Sequence, residues 1–214
     1  MLRPRLDRRA GPHYPCRPMT VDTDAARPLG SPWHYSLRAA GDPDLPCTGG
    51  VGWQVVRGPE YRWDGTKRGR KVHFIFQYTL SGAGAIDIGG RRRRVDPGHC
   101  FLVEVPGKHV YYHPAGWPEW EFIYAAVSGA CARPLWLKVT ERLGPVSRVD
   151  PASEAVAIVK GLYARAAAGQ YVEPLENAEL TARFLLALLG AESQVNPLPG
   201  GAVSRAAAWA RENL

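Results

Sequence analysis

Metal-binding side-chain types recur through the middle of the chain. His109 and His113 lie four residues apart, so they would share one face of a strand, and Glu104 shortly precedes them. With His73, these groups could act as ligands to a metal ion. Nucleophilic catalysis has less support, because no Ser or Cys stands in a recognisable nucleophile elbow. We expect no catalytic residue, no metal and no other cofactor, with a stand-alone metalloenzyme as the alternative.

A second kind of site is suggested by the alternation of side chains between Val72 and Leu80. In a strand, Gln77 and Thr79 would lie on one face, and Phe76 and Tyr78 on the other. Polar residues on the interior face of a barrel are typical of a lined cavity, whereas the aromatic face would be covered by other elements. This pattern predicts that the cavity binds a polar or neutral small molecule.

Aromatic residues alternate in the same way between Glu119 and Val127. Trp120, Phe122 and Tyr124 would share one face of that strand. Aromatic rings beside hydroxyl and guanidinium donors are the usual chemistry of carbohydrate recognition. The same three rings could equally form a packed core, and the sequence leaves both interpretations open.

These residues lie in a stretch that predicts many short antiparallel strands. The turns are marked by Ser81-Gly82, Gly89-Gly90, Asp96-Pro97-Gly98 and Pro106-Gly107. The predicted strands are Val51–Val56, Val72–Leu80, Ala83–Ile88, Cys100–Val105, Lys108–His113 and Glu119–Val127. Closely spaced short strands indicate a barrel or sandwich, so we expect a mainly β fold.

Helical patterns replace the strands after Gly129. We predict a short helix over Pro134–Leu143, a second that starts with Asp150 as its N-cap, and a third from Pro174 to Gly190. The third has an apolar stripe. That stripe could simply cover the open side of the barrel or also form a dimer contact, for which the candidates are Leu175, Ala182, Leu185, Leu186 and Leu189.

Composition restricts the class of protein. The 214 residues include 27 Lys+Arg against 20 Asp+Glu, a formal net charge of +7. Much of the excess lies in residues 1–18 and in the run Arg91–Arg94, so the globular part shows no obvious DNA-binding face. Four scattered Cys exclude a disulfide scaffold. No apolar run is long enough for a membrane helix and no signal peptide is evident, so we expect a cytoplasmic protein.

An ordered series of motifs carries a family resemblance. The series comprises Tyr78-Thr79-Leu80-Ser81-Gly82-Ala83-Gly84, Gly89-Gly90, Asp96-Pro97-Gly98, Pro106-Gly107-x-His109, Trp120-Glu121-Phe122 and, after the helices, Val203-x-x-x-Ala207-x-Trp209-Ala210-x-x-Asn213. It resembles the N-terminal cupin sensor domain of AraC-family transcriptional regulators. The resemblance implies a cupin-like (double-stranded β-helix or jelly-roll) barrel with a helical dimerisation subdomain, α+β overall.

The resemblance also implies the positions that contact an effector. Those of the sugar-sensing member fall on Thr79, Arg91, Tyr111, Phe122 and Tyr124, to which we add His109 and Gln77. Phe122 replaces a His and Tyr124 replaces a Trp, which leaves the effector open between a sugar and a less polar molecule. A metal-binding cupin would carry a His-x-His pair, but the strand reads His73-Phe74-Ile75. That weakens the alternative of a cupin isomerase or dioxygenase.

The domain organisation follows from these elements. We predict a flexible basic arm (residues 1–22), the barrel (23–130), the helical dimerisation subdomain (131–191), a linker (192–202) and the first helix of a helix-turn-helix domain (203–214). Both recognition helices would lie beyond Leu214, so we expect a homodimeric sensor that reaches DNA only through a domain missing here. The sequence does not decide between Met1 and Met19 as the start, or between activation and repression.

Overall fold

A computed structural model describes residues 33–38 and 42–195, with side chains as far as residue 191. The predicted arm, most of the predicted linker and the helix at residues 203–214 lie outside the described residues. The strands are β1 (His34–Ser36), β2 (Cys47–Val56), β3 (Arg62–Asp64), β4 (His73–Ser81), β5 (Gly84–Ile88), β6 (Arg91–Val95), β7 (His99–Val105), β8 (His109–Tyr112), β9 (Trp120–Ser128) and β10 (Val146–Arg148). The helices are α1 (Ala132–Leu143), α2 (Glu154–Ala167) and α3 (Pro174–Val195).

The strands form two antiparallel sheets. One has the order β1-β2-β9-β4-β7-β10, and the other has the order β3-β8-β5-β6. Consecutive strands alternate between the sheets at several points, so the chain builds a cupin-like barrel from two layers. Over the described residues the fold is therefore mostly β with three helices, as the sequence predicts.

Strand alternation divides the apolar residues into two cores. Inside the barrel, Ile75 of β4 packs with Phe101, Tyr111 and Phe122 from neighbouring strands. The other face of β4 carries Phe76, which packs against the helices instead. Residues at i and i+2 share a face, so this confirms the predicted division of β4 into a polar inner face and an aromatic outer face.

The helices cover the outer face of the larger sheet. Phe184 of α3 meets Phe76 edge to face at 5.2 Å, and Trp136 of α1 stacks on Phe74 at 5.1 Å. Burial of such rings supplies most of the free energy that holds a helix on a sheet. The helices follow the barrel strands along the chain, except that β10 lies between α1 and α2 and pairs with β7 of the larger sheet.

Three helix boundaries differ from the prediction. The Ser153 hydroxyl accepts a hydrogen bond from the Val156 amide and caps α2, whereas Asp150 accepts one from the Ala152 amide in the preceding turn. Helix α1 begins two residues earlier than predicted. Helix α3 continues through Gly190 to Val195, because the buried Ala191 still packs on the core and a single glycine weakens a helix by only about 1 kcal/mol.

The alternation of side chains in the sequence did not predict the short strands. The strands β1, β3 and β10 have three residues each, too few to show a period of two. The strand β6 is the edge of its sheet, and four of its five residues are exposed arginines. Charged side chains are typical of edge strands because they discourage pairing with another chain.

A buried polar cluster fastens α3 to the barrel. The Asn177 side-chain oxygen accepts from the Thr48 amide at 3.1 Å, and its nitrogen donates to the carbonyl oxygens of Thr48 and Arg38. The hydroxyls of Thr48 and Thr181 are 2.8 Å apart. Each buried group is therefore paired, which fixes α3 against β2 and against the segment that contains β1.

The predicted dimer stripe of α3 is divided between the core and the surface. Leu185 is 0% exposed and packs inside the protomer, whereas Leu175 and Leu186 are 71% and 55% exposed. Ala182 and Leu189 are half-buried. Only Leu175 and Leu186 have side chains largely available to a partner.

None of the helices in the described part of the chain is long and apolar enough to cross a membrane.

Candidate ligand-binding cavity

A cavity of about 310 Å³ opens between the two sheets, at the end of the barrel where β1 and the loop from β2 to β4 meet. Its wall combines aromatic and polar side chains from β1, β2, β4, β8, β9 and that loop. The residues that line it are Trp33, His34, Gln54, Tyr61, Trp63, Arg68, Ile75, Gln77, Tyr111, Tyr124 and Ala126. An aromatic cavity with a few polar groups is the usual form of a small-molecule site.

Gln77 carries an unsatisfied polar group in this wall. Its side-chain oxygen accepts a hydrogen bond from the Tyr61 hydroxyl at 3.2 Å. Its Nε2 is buried and has no hydrogen-bond partner within the described part of the chain. A buried amide without a partner costs about 1–3 kcal/mol, so a native protein rarely keeps one without a reason. A bound ligand with an acceptor oxygen would satisfy it.

Tyr124 is held against the cavity from two sides. Its hydroxyl lies 2.7 Å from Nδ1 of His34, and the two rings are nearly parallel at an interplanar angle of 6°. Beneath the ring is Gly52, where an added Cβ would lie 2.1 Å from Cε1 of Tyr124. The glycine at position 52 is therefore what lets Tyr124 lie flat across β2.

Arg68 and Trp63 form the remaining side of the opening. The Arg68 guanidinium lies 4.9 Å from the centre of the Trp63 ring, within the range of a cation–π interaction. It also donates a hydrogen bond to the Tyr111 hydroxyl. Trp63 belongs to β3, and the loop after it, which carries Arg68, begins with a short 3₁₀ turn in which the Asp64 carboxylate accepts from the Thr66 amide at 3.0 Å.

The phenols of the wall keep their protons at neutral pH. Burial, with a smaller contribution from Tyr111, raises the pKa of Tyr61 well above its ordinary value. Burial raises the pKa of Tyr111 to about 12, and it raises that of Tyr124 as well. Burial also lowers the pKa of His34. The wall therefore offers neutral hydroxyls as donors and acceptors.

Three of the seven predicted ligand-binding residues line the cavity together. These are Gln77, Tyr111 and Tyr124. The other four lie elsewhere. Thr79 and Phe122 belong to the barrel interior, where the Thr79 hydroxyl accepts from the Trp120 indole at 2.9 Å and donates to the Val95 carbonyl.

His109 and Arg91 also lie outside the cavity wall. The His109 ring stacks on Tyr111 at 6.0 Å, and its buried Nε2 has no partner within the described residues. Burial, followed by the nearby charge of Arg68, lowers its pKa. Arg91 is exposed on the edge strand β6, opposite Ile88, since the sheet ends there and leaves its side chain in solvent.

The structure does not bring the candidate metal ligands together. Glu104 lies on the outer face of β7, 3.6 Å from the Arg133 guanidinium of α1, whereas His109 lies inside the barrel. Nδ1 of His73 is 3.0 Å from the Lys71 carbonyl oxygen. No group of three or more His, Cys, Asp or Glu that could hold a metal ion occurs in the described ranges. The alternation of β7 separates Glu104 from His109.

Sequence reasoning identified only three of the eleven residues that line the cavity. Tyr61 and Arg68 lie in a loop without periodicity, and Arg68 is one of several cations between Lys67 and Lys71. No pattern in the sequence distinguishes it from its solvated neighbours. His34 lies in β1, a strand of only three residues, and Trp33 is the residue before that strand. Trp63 was recognisable only as a tryptophan near the region that could cover the cavity.

A larger depression of about 450 Å³ lies outside the barrel, between the start of α1 and the ends of β2 and β4. It is bounded by Asp42, Lys71, Val72 and Arg133, among others. We consider the barrel cavity the better candidate, because it carries an unsatisfied buried group and convergent hydroxyls.

Comparison with solved structures gives partial overlaps. The YhaK protein of Escherichia coli is 16% identical, over 45% of this chain and 44% of that one, with a TM-score of 0.36. The AraC-like transcriptional activator CuxR is 11% identical, over 56% of this chain and 41% of that one, with a TM-score of 0.39. A cupin 2 conserved barrel domain protein of Salinispora arenicola is 16% identical, over 53% of this chain and 95% of that one, with a TM-score of 0.34. The similarity thus spans less than half the length of YhaK and of CuxR.

The sequence itself gives the assignment. No curated protein matches this chain. Residues 54–191 match the family model described as the AraC-like ligand binding domain. That range contains most of the barrel and the helices, including every cavity residue except Trp33 and His34. The chain belongs to the family of AraC-like ligand-binding domains.

Proposed function

We propose that this chain is the effector-binding and dimerisation part of a transcriptional regulator, with a regulatory rather than a catalytic role. The observation that carries the proposal is the cavity in the barrel, whose wall contains Gln77, with a buried Nε2 that has no partner among the described residues, together with Tyr111 and Tyr124. A small molecule that fills the cavity would satisfy these groups.

A hydroxylated molecule such as a sugar suits this wall. Aromatic rings of Trp63 and Tyr124 can pack on apolar C–H faces, while the Gln77 amide and the phenols exchange hydrogen bonds with hydroxyls. The cavity volume lies at the lower end of the range for ligand sites, which favours a ligand about the size of a monosaccharide.

The segment containing β1 connects the cavity to the helices. His34 bonds Tyr124 at the cavity, while its neighbour Tyr35 meets Tyr163 of α2 edge to face at 5.4 Å. The Arg38 carbonyl oxygen accepts from Asn177 of α3 at 3.1 Å. A ligand that favours one position of β1 would thereby favour one arrangement of α2 and α3, which is thermodynamic linkage between two sites.

The exposed side chains of α3 are candidates for the dimer contact. Leu175 and Leu186 lie eleven residues apart, so about three turns separate them along one side of the helix. In the complete regulator, a helix-turn-helix domain would read DNA, and dimerisation would set the spacing of its two copies. We place the protein in the cytoplasm, where the buried thiol of Cys100 would remain reduced.

The effector role is tested by ligand screening on the whole chain. We expect some small hydroxylated molecules to raise Tm through preferential binding to the folded state. Ala126→Leu, which fills the cavity, should abolish that shift, while Ala115→Leu on an exposed turn should not. If no molecule in a broad metabolite screen raises Tm, or if Ala126→Leu leaves every shift intact, the cavity is not an effector site.

Dimerisation is tested separately by analytical ultracentrifugation. Leu175→Glu with Leu186→Glu should convert a dimer to a monomer, because each buries a charge at the proposed contact. Leu137→Glu is the matched control, since Leu137 is 49% exposed on α1. A dimer that survives both α3 substitutions would reject this face of α3 as the interface.

A further inference from the structure

The charge of Arg68 has no counterion in the structure. The side chain is half-buried, donates to the Tyr111 hydroxyl and lies over the Trp63 ring. Within the described part of the chain, no ion pair includes Arg68. The Asp64 carboxylate is engaged elsewhere, because it accepts from the Thr66 amide and hydroxyl and lies 3.6 Å from Nζ of Lys67.

The cavity wall also lacks negative charge. None of its lining residues is Asp or Glu. The phenols are protonated at neutral pH, and burial disfavours a charge on His34. Arg68 is therefore the one formal charge at neutral pH on the part of the wall that the structure describes, and it is positive.

The uncharged groups add further hydrogen-bond donors. Tyr111 accepts from Arg68, which leaves its own O–H free to donate. Gln77 accepts from Tyr61 through its oxygen, which leaves its Nε2 with two N–H groups and no acceptor within the described residues. Two uncharged donors and one guanidinium therefore belong to one cavity wall. Such a set matches a ligand rich in acceptor oxygens.

We propose that the effector is an oxyanion, a small organic carboxylate or phosphate ester whose charged group is bound by Arg68 and whose body fills the cavity beside Tyr111 and Gln77. The planar guanidinium binds such groups through two parallel N–H···O bonds. This inference rests on the proposed function and narrows the ligand class from sugars in general to acidic molecules, such as sugar acids or sugar phosphates. In a half-buried site the ion pair is less screened than at an open surface.

The test compares neutral and anionic probes that are built on the same ring. Glucose, glucuronate and glucose 6-phosphate share a pyranose ring, and benzyl alcohol with benzoate forms a second pair without it. Binding is measured by calorimetry and by the NMR signal of the Arg68 Nε–H group. Arg68→Gln removes the charge, and Arg70→Gln is the matched control, since Arg70 is an exposed cation outside the wall. Tm of each variant confirms that it folds.

We expect at least one anionic probe to bind at least tenfold more tightly than its neutral partner and to shift the Arg68 signal. That preference should persist in Arg70→Gln, disappear in Arg68→Gln and decrease with added NaCl. Glucuronate and glucose 6-phosphate distinguish a carboxylate site from a phosphate site. The inference is wrong if no anion binds, if the neutral partners bind as tightly, or if Arg68→Gln keeps the preference.

Failure of this inference is distinguishable from failure of the proposed function. Neutral probes that bind wild type and not Ala126→Leu would keep the cavity as an effector site and would reject only the anionic class. An absence of any binding, here and in the broader screen, would reject both.

Discussion

Gln77 and Thr79 are neighbours on the inner face of β4, and the structure predicts opposite consequences for removing their polar groups. Gln77→Leu removes a buried amide whose Nε2 is unpaired, which relieves about 1–3 kcal/mol. It also removes the acceptor of the Tyr61 hydroxyl, which costs about 0.5–1.5 kcal/mol. The net effect on the free energy of unfolding therefore lies between a decrease of about 0.5 kcal/mol and an increase of about 2.5 kcal/mol. Ligand binding, in contrast, should weaken at least tenfold.

Thr79→Val should have the opposite effects: it should lower stability and leave ligand affinity nearly unchanged. The Thr79 hydroxyl accepts from the Trp120 indole and donates to the Val95 carbonyl, and valine leaves the buried indole N–H without its partner. The cost is about 1–3 kcal/mol, which lowers Tm by a few degrees, since 1 kcal/mol corresponds to about 2–4 °C in a chain of this size. Ligand affinity should change less than threefold, because Thr79 does not line the cavity. Thr79→Ser, which keeps the hydroxyl, should retain most of the stability.

The assay is urea unfolding monitored by tryptophan fluorescence, together with calorimetric titration of a probe that binds wild type. A fall of more than 1 kcal/mol in stability for Gln77→Leu would show that its amide is satisfied within the fold. A loss of affinity in Thr79→Val that exceeds the loss in Gln77→Leu would refute the assignment of Gln77 as the ligand-facing residue of the pair. Stability must be compared at equal m-values, so that each variant unfolds to the same state.

Four further substitutions test other features of the structure. Gly52→Ala should displace the Tyr124 ring and the Trp33 backbone, since the new Cβ would lie 2.1 Å from Cε1 of Tyr124 and 2.6 Å from the Trp33 carbonyl oxygen. The side-chain NMR signals of Tyr124 should change while far-UV circular dichroism stays the same. Leu185→Ala should cost about 2–5 kcal/mol in chemical unfolding, whereas Leu186→Ala at the exposed position should cost less than about 0.5 kcal/mol. Because burial lowers the pKa of His109 below its ordinary value of 6.5, the unfolded chain takes up a proton at higher pH than the folded one. Stability should therefore fall as pH decreases through about 6.5, and His109→Phe should flatten that part of a Tm profile between pH 7.5 and 5.5.

The architecture was largely predictable from periodicity. All six predicted strands are present, and the polar inner face of β4 was correctly assigned, because a strand fixes the direction of every second side chain. The period of two also placed Trp120, Phe122 and Tyr124 on one face of β9, inside the barrel. It could not separate lining residues from core residues, since both lie on that face. Phe122 is packed in the core and Tyr124 lines the cavity, a difference set by position along the barrel axis.

Periodicity was equally limited in predicting which helix residues face the core. The apolar stripe of α3 was visible, but Leu185 and Leu186 are adjacent, and which of them faces inward depends on how α3 packs against the barrel. Asn177 and Thr181 fix that orientation through hydrogen bonds to Thr48, 129 residues from Asn177 along the chain. A contact at that separation leaves no local pattern in the sequence.

Arg68 shows why ligand specificity could not be predicted from the sequence. Lys67, Arg68 and Arg70 have the same chemistry and lie in one aperiodic loop, and only Arg68 reaches the cavity. The barrel supplies neutral donors from regular strands, whose positions alternation predicts. Within the described part of the wall, the charge that would select among ligands comes from a loop, whose path depends on the Asp64 turn and on the Trp63 ring. Relatives with the same barrel could therefore keep the Gln77 and Tyr111 donors and still select different effectors, because a change in this loop alters the charge of the wall without disturbing either sheet.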